Sequence, residues 1–328
     1  MEQSFLAWLK GRSSDLPRVA VGIGDDAAIL HWPPGAWPPG AWPPGAWPPG
    51  AAREGQREGQ QLVIATDQVA DGVDFLLAEH PLPAIGRKAV LVNLSDMAAM
   101  AAEPIAILVT LSLPREGSTQ IAAGIYDGIL AVAKEYGLAI AGGDITIYDG
   151  PVAVSVTILG AVPSGGGWLR SGAREGDAIV VTGAVGGSIL GRHLEPEPRV
   201  RQARRIAESV DVHAAIDISD GLSLDLDRLC AASGVGAEMD LEAIPIHADA
   251  VKLASRDSAS PLEHAWGDGE DFELILAVAP QSVAALLKQD FGVPLTQIGT
   301  FTGRTGLWAR RGGHLERMSP RGFIHGRR

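Results

Sequence analysis

Residues 32–51 read Trp-Pro-Pro-Gly-Ala four times in tandem, and no chain can thread such a segment through a packed core. Paired prolines fix φ, remove amide donors and favour polyproline II, so the tract joins neither a helix nor a central strand. The duplicated Arg-Glu-Gly-Gln of residues 53–60 continues it. Apolar, β-type runs stand on both sides, at 19–23 and 62–65, which makes the tract a long surface loop joining two strands. Its four tryptophans offer one functional reading, a proline-type ligand for a partner domain. A duplicated tract tolerated in a hairpin loop, where closure entropy grows slowly with length, is the plainer reading and the preferred one.

Beyond the tract, strand and helix patterns intermix. β-Type runs occur at 105–113, 138–141, 152–162, 178–182, 214–218, 273–278 and 307–310. Helical periodicity marks 83–101, 119–136, 188–193, 222–232 and 280–290, with Gly137 and Gly234 as stop signals. Asp149-Gly150 is a hairpin signal that makes its neighbouring strands antiparallel, which argues against a doubly wound parallel sheet. The Pro, Ser and three glycines of 163–167 break the pattern, and the domain boundary falls there, giving domains 1–162 and 163–328. With 328 residues, 46% of them hydrophobic, the chain can bury two cores.

The net charge of −12 argues against a sequence-independent grip on nucleic acid, which needs a basic surface. A single cysteine, Cys230, excludes an intrachain disulfide and any multi-cysteine metal site, and it sits in an apolar helix where a buried, inert thiol is expected. The first residues lack the pattern of a secretory signal, and no apolar run is long enough to span a bilayer. A cytoplasmic protein is expected.

The carboxylates follow a pattern. Asp25 and Asp26 follow Val-Gly-Ile-Gly, Asp67 follows Val-Ile-Ala-Thr, and Asp96 ends Val-Asn-Leu-Ser-Asp. Asp144 follows Ile-Ala-Gly-Gly, while Asp217 and Asp220 lie in Ile-Asp-Ile-Ser-Asp-Gly. Each stands where an apolar run first turns polar. A single such aspartate is a turn former or helix cap, and Asp220 or Ser219 could simply cap the helix that follows. Repetition changes the reading, because carboxylates gathered at one place repel unless cations neutralise them, and an all-oxygen set without histidine or thiol suits Mg²⁺.

Glycines accompany the acids, at Gly22, Gly24, Gly142, Gly143, Gly183, Gly186 and Gly187. They let backbone amides approach a phosphate, although a plain turn is their commoner role. No segment reads Gly-x4-Gly-Lys-Ser/Thr, and Gly-Ile-Gly-Asp-Asp-Ala lacks the third glycine of a dinucleotide fingerprint. ATP would therefore be held through carboxylate-bound Mg²⁺. With no Gly-x-Ser-x-Gly elbow and no exposed thiol, direct transfer is favoured over a covalent intermediate.

Taken in order, Val-Gly-Ile-Gly-Asp-Asp-Ala-Ala, Ala-Thr-Asp-Gln-Val-Ala-Asp-Gly-Val-Asp-Phe, Arg-Lys-Ala-Val-Leu-Val-Asn-Leu-Ser-Asp-Met-Ala-Ala-Met, Ala-Gly-Gly-Asp, Leu-Arg-Ser-Gly-Ala-Arg-Glu-Gly-Asp, Ile-Ser-Asp-Gly-Leu and Gly-Glu-Asp-Phe-Glu-Leu closely resemble the thiamine-monophosphate kinases. The resemblance covers nearly the whole chain. It implies the two-domain α/β (α+β) fold of the aminoimidazole ribonucleotide synthetase-like superfamily. In that fold an N-terminal mixed sheet pairs across a homodimer into a β-barrel, and an α/β C-terminal domain completes the cleft. It also implies ATP-dependent phosphorylation of thiamine monophosphate with Mg²⁺, and no nucleic acid or membrane partner.

Carried over motif by motif, the resemblance makes Asp26, Thr66, Asp67, Asp96, Asp144, Asp217 and Asp220 metal positions. Gly143, Asp144, Arg170, Ser219 and Tyr126 correspond to nucleotide contacts, and Asp74, Glu270 and Phe323 to the substrate side. Asp96, Asp220 and Arg170 would carry the catalysis. This chain departs from many relatives in having Asp74 where they carry histidine and Ala65 where they carry serine. An anion at position 74 would repel a substrate phosphate unless Mg²⁺ intervened. The rival readings are another ATP-dependent enzyme of the superfamily and a nucleotide-binding regulatory module without catalysis.

Overall fold

The computed structural model describes residues 19–21, 25–31, 60–163, 166–311 and 314–324. The repeat tract, the initial segment and Gly22 and Gly24 lie outside the described residues. Strands β1 (Val19–Val21), β2 (Ala28–His31) and β3 (Gln60–Ala70) come first. Helix α1 (Leu82–Ala99), β4 (Glu103–Pro114), helix α2 (Ser118–Tyr136), β5 (Ala139–Tyr148) and β6 (Ala153–Pro163) follow. The six strands form one mixed sheet in the order β1-β2-β3-β6-β4-β5, with β4 and β5 parallel and the other pairs antiparallel.

Two expectations change here. The tract does not join the runs at 19–23 and 62–65 directly, because β2 intervenes; it lies between β2 and β3, which pair from Ala28 with Ile64 to His31 with Gln61. Nor is Asp149-Gly150 the turn of a hairpin. β5 and β6 run in opposite directions, but β4 separates them, since the α2 connection returns the chain parallel to β4 on its far side.

Helices α1 and α2 cover one face of this sheet and pack unusually closely. A Cβ on Gly86 would lie 1.9 Å from the Ile125 carbonyl oxygen, and one on Gly128 would lie 1.9 Å from that of Pro83. Thirteen residues of α1 are buried, including Lys88, Asn93 and Ser95. Such all-round burial is expected of a helix enclosed on several sides. One hydrophobic core joins Ile85, Val90 and Leu94 of α1 to Val180, Ala215 and Leu274 of the C-terminal half.

That second half contributes β7 (Ala178–Thr182), α3 (Val200–Ser209), β8 (Val212–Asp217), α4 (Leu222–Ser233) and β9 (Gly236–Met239). It continues through α5 (Ala248–Ala254), α6 (Pro261–Gly267), β10 (Leu274–Val278), α7 (Pro280–Leu286), β11 (Leu295–Thr302), β12 (Gly306–Arg311) and β13 (His314–Met318). Its seven strands order as β13-β12-β9-β11-β7-β10-β8. The helix expected at 188–193 is instead two 3-10 turns, bounded by Gly187 and Gly191 with φ of 76° and 137°. No helix among the described residues is long and apolar enough to cross a membrane.

Candidate active site

Five aspartates reach the junction of the two sheets from different elements. Asp26 precedes β2, Asp67 lies in β3, Asp96 near the end of α1, Asp217 at the end of β8 and Asp220 in the turn before α4. Carboxylate oxygens of Asp26, Asp96 and Asp217 lie within 4.8 Å of one another. Asp67 lies beside Asp96 and feels the charge of Asp26, Asp74 and Asp220.

Neighbours fix each acid in place. Asn93 accepts the Asp67 amide at 3.1 Å and donates to the Ala89 carbonyl, tying β3 to α1. Ser95 donates to Asp217 at 2.5 Å, so α1 reaches into the C-terminal half. Arg170 donates to Asp26 at 2.6 Å, while its own amide donates to Asp25. Asp225, in the first turn of α4, accepts the amides of Ser219, Asp220 and Gly221 at 2.9 to 3.1 Å. Arg228 bridges Asp220 at 2.5 Å and Asp225 at 2.7 Å. Neither Ser219 nor Asp220 caps α4; its N-cap is Gly221, without a side-chain cap bond. The simplest non-functional role for Asp220 is thereby removed.

The electrostatics express crowding. Burial pushes the carboxyls of Asp96 and Asp217 well above the usual carboxylate range, and the charge of Asp26 raises both further. The surrounding protein strips enough water to raise Asp67 as well. Burial opposes the charge on Arg170, but Asp26, Asp217 and Asp25 outweigh it and hold the guanidinium protonated. Asp26 Oδ2 is buried without a hydrogen-bond partner among the described residues. An orphaned carboxylate oxygen amid an all-oxygen donor set fits a hard divalent cation.

The remaining expected residues are placed variously. Thr66 turns away from Asp67, as strand alternation requires, and its hydroxyl meets the Thr157 hydroxyl at 3.0 Å. Asp144 is exposed on the edge strand β5, in one row with Thr110, Ser155 and Gln68, hence on the face opposite Asp67. Within one chain, the Thr66 and Asp144 side chains do not join the cluster. Gly143 packs so closely that a Cβ would lie 1.8 Å from the Val109 carbonyl oxygen. Tyr126 packs against the N-terminal core from α2.

On the other flank, Asp74 Oδ2 accepts the Ala70 amide at 2.8 Å, so this carboxylate closes its own loop. Glu270 pairs with the fully buried Lys88 at 2.5 Å. Phe323 is 48% exposed, and its amide donates to the Asp220 carbonyl, which lays the C-terminal segment over the acidic turn. Cys230 is buried, and burial pushes its thiol up to about 12.

Asn93, Ser95, Asp225, Arg228 and Lys88 carry roles that sequence reading did not assign. Asp225 had a usable signal, an acid in the first turn of a helix that follows an acidic turn. Lys88 had none, since a lysine in an apolar helix reads as a solvated side chain.

Two family models match in tandem: AIR synthase related protein, N-terminal domain, over residues 24–162, and the corresponding C-terminal domain over 164–309. Paired sheets with an acidic cluster between them therefore define an AIR synthase related protein. A curated thiamine-monophosphate kinase of Rhodopirellula baltica is 54% identical over 99% of this chain and 98% of its own length, and that of Escherichia coli K12 is 33% identical over 96% and 94%. The solved thiamine-monophosphate kinase of Stenotrophomonas maltophilia superposes with a TM-score of 0.68 at 31% identity, covering 92% of this chain and 94% of its own. AaThiL complexed with AMPPCP and TMP shares the fold at a TM-score of 0.79 and 24% identity, covering 99% and 96%. The chain belongs to the thiamine-monophosphate kinase family.

Proposed function

We propose that this chain transfers the terminal phosphoryl group of ATP to thiamine monophosphate, giving thiamine diphosphate. The observation that carries the reading is the convergence of Asp26, Asp67, Asp96, Asp217 and Asp220 from both halves of the chain, with Arg170 beside them. The thiamine-monophosphate kinases among its relatives support it, as does a structure of the same fold complexed with AMPPCP and TMP.

The acids would hold Mg²⁺, which when bound offsets the negative charge that ATP and the carboxylates would otherwise set against each other. Arg170, locked by Asp26 and by its own amide to Asp25, presents a fixed positive charge to the nucleotide. The Ser219–Gly221 turn, held by Asp225, fixes Asp220 and offers Ser219 as a nucleotide contact. Glu270 and Phe323 face the acceptor, the carboxylate matching the cationic thiazolium and the ring packing on a heterocycle. The attacking oxygen belongs to a phosphate already anionic near neutral pH, so positioning and charge neutralisation replace a general base.

Two further elements belong to this reading. The molecule acts as a homodimer, because β5 is an exposed sheet edge carrying Ile145 and Ile147, 55% and 50% open, the kind of edge that proteins cover. It works in the cytoplasm, where its lone thiol stays reduced.

ADP formation measured with thiamine, thiamine monophosphate and aminoimidazole precursors, with and without Mg²⁺, tests the reading. Release that requires both thiamine monophosphate and Mg²⁺ is expected. Release indifferent to thiamine monophosphate, or driven by an aminoimidazole substrate, would contradict it.

A further inference from the structure

Lys88 is a fully buried lysine, with none of its surface exposed, and it lies outside the acidic cluster. Burying an ammonium is costly unless its charge is paired and its protons are bonded. The charge is paired and two of the three protons are bonded, by one residue from each half of the chain. Nζ donates to the Asp74 carbonyl at 2.7 Å and pairs with Glu270 Oε1 at 2.5 Å.

Both partners are themselves tightly set. Asp74 sits in a loop after β3 that its own carboxylate closes onto the Ala70 amide, while its backbone amide donates to the Ala70 carbonyl at 2.9 Å. Glu270 has φ of 60° and Phe272 has φ of 53°, left-handed conformations that non-glycine residues seldom adopt. They are held by hydrogen bonds donated by the Glu270 amide to the Ser219 carbonyl at 2.7 Å and by the Phe272 amide to the Ile218 carbonyl at 2.8 Å. Strained backbone that surrounding bonds over-determine is characteristic of residues placed for a task. The Glu270 side chain keeps 31% of its surface open, so Lys88 grips it from the protein side and leaves the rest for a ligand.

We propose that Lys88 is a positioning residue: it clamps Glu270 to the Asp74 loop across the two halves of the chain and so presents the Glu270 carboxylate to the cationic thiazolium of the substrate, away from its anionic phosphate. The proposal deepens the function given above and rests on it. Burial by itself raises the Glu270 carboxyl, and the Lys88 charge is the first influence that opposes it. What the Lys88 contact fixes directly is where that carboxylate stands.

Calorimetric binding of thiamine monophosphate and, separately, of a non-hydrolysable ATP analogue tests this in the Lys88→Met, Lys88→Arg, Glu270→Gln and Lys88→Met/Glu270→Gln proteins. Lys88→Met should weaken thiamine monophosphate binding about tenfold or more while changing analogue binding less than about twofold, and Lys88→Arg should restore part of the loss. In the Glu270→Gln background the Lys88→Met loss should shrink to within about twofold, because the clamp then has nothing left to hold. Equal, additive losses for both ligands would mean a merely structural lysine and overturn the proposal. Should Lys88→Met fail to fold, Glu270→Gln alone decides: thiamine monophosphate affinity unchanged in that protein overturns the proposal. A wild-type chain that binds thiamine monophosphate without releasing ADP would refute the assigned reaction but leave this comparison intact.

Discussion

Asp96 is under electrostatic strain, since burial and then the charges of Asp67, Asp217 and Asp26 all act against its ionised form. Asp96→Asn should lower turnover by about a hundredfold or more, because an amide neither repels nor replaces a cation ligand of full charge. The same change should raise the melting temperature of the cation-free protein, so a thermal melt separates lost function from lost folding. Asp271 gives a pH test away from the acids. It is buried, accepts the Gly186 amide at 2.7 Å and Arg192 at 3.0 Å, and burial pushes its carboxyl up to about 7. A raised carboxyl favours folding below its unfolded value and loses that contribution as pH rises through about 7. Melting temperature should therefore fall less steeply from about pH 4 to about pH 7 in Asp271→Asn than in wild type. At this scale the acids were legible because each ends an apolar run. Their supports were not: Asn93, Ser95 and Lys88 lie inside an apolar helix, and their partners Asp67, Asp217 and Glu270 are brought to it only by the folding of segments distant in sequence.

Helices α1 and α2 approach each other as closely as they do because Gly86 and Gly128 stand at their contact. Gly128→Ala should destabilise the protein by about 2–3 kcal/mol in urea unfolding, since the added methyl group would enter the Pro83 carbonyl. A cost near zero would mean that the pair separates freely. Long periodic elements such as α1, α2, β4 and β6 were readable because their apolar spacing is sustained. α3 was missed, since among its ten residues only Val200, Ala203 and Ile206 are buried. The turns at 188–194 were misread as a helix because their flanking glycines take positive φ. Strand order was not legible either: Asp149-Gly150 joins β5 to β6 although β4 lies between them.

For the whole molecule, the exposed β5 edge and the acidic junction are the two surfaces that matter. Ile147→Lys should convert a dimer into a folded monomer in sedimentation velocity, since a charge on an open edge blocks strand pairing. An unchanged dimer would place the interface elsewhere. The acidic junction exists only because α1 is shared by both halves, through Ser95 to Asp217 and Lys88 to Glu270. The decisive measurement is anomalous diffraction from crystals soaked with Mn²⁺ and a non-hydrolysable ATP analogue. Manganese peaks enclosed by Asp26, Asp67, Asp96, Asp217 and Asp220 are the predicted result. Peaks confined to other surfaces, with these five side chains empty of metal, would contradict the account.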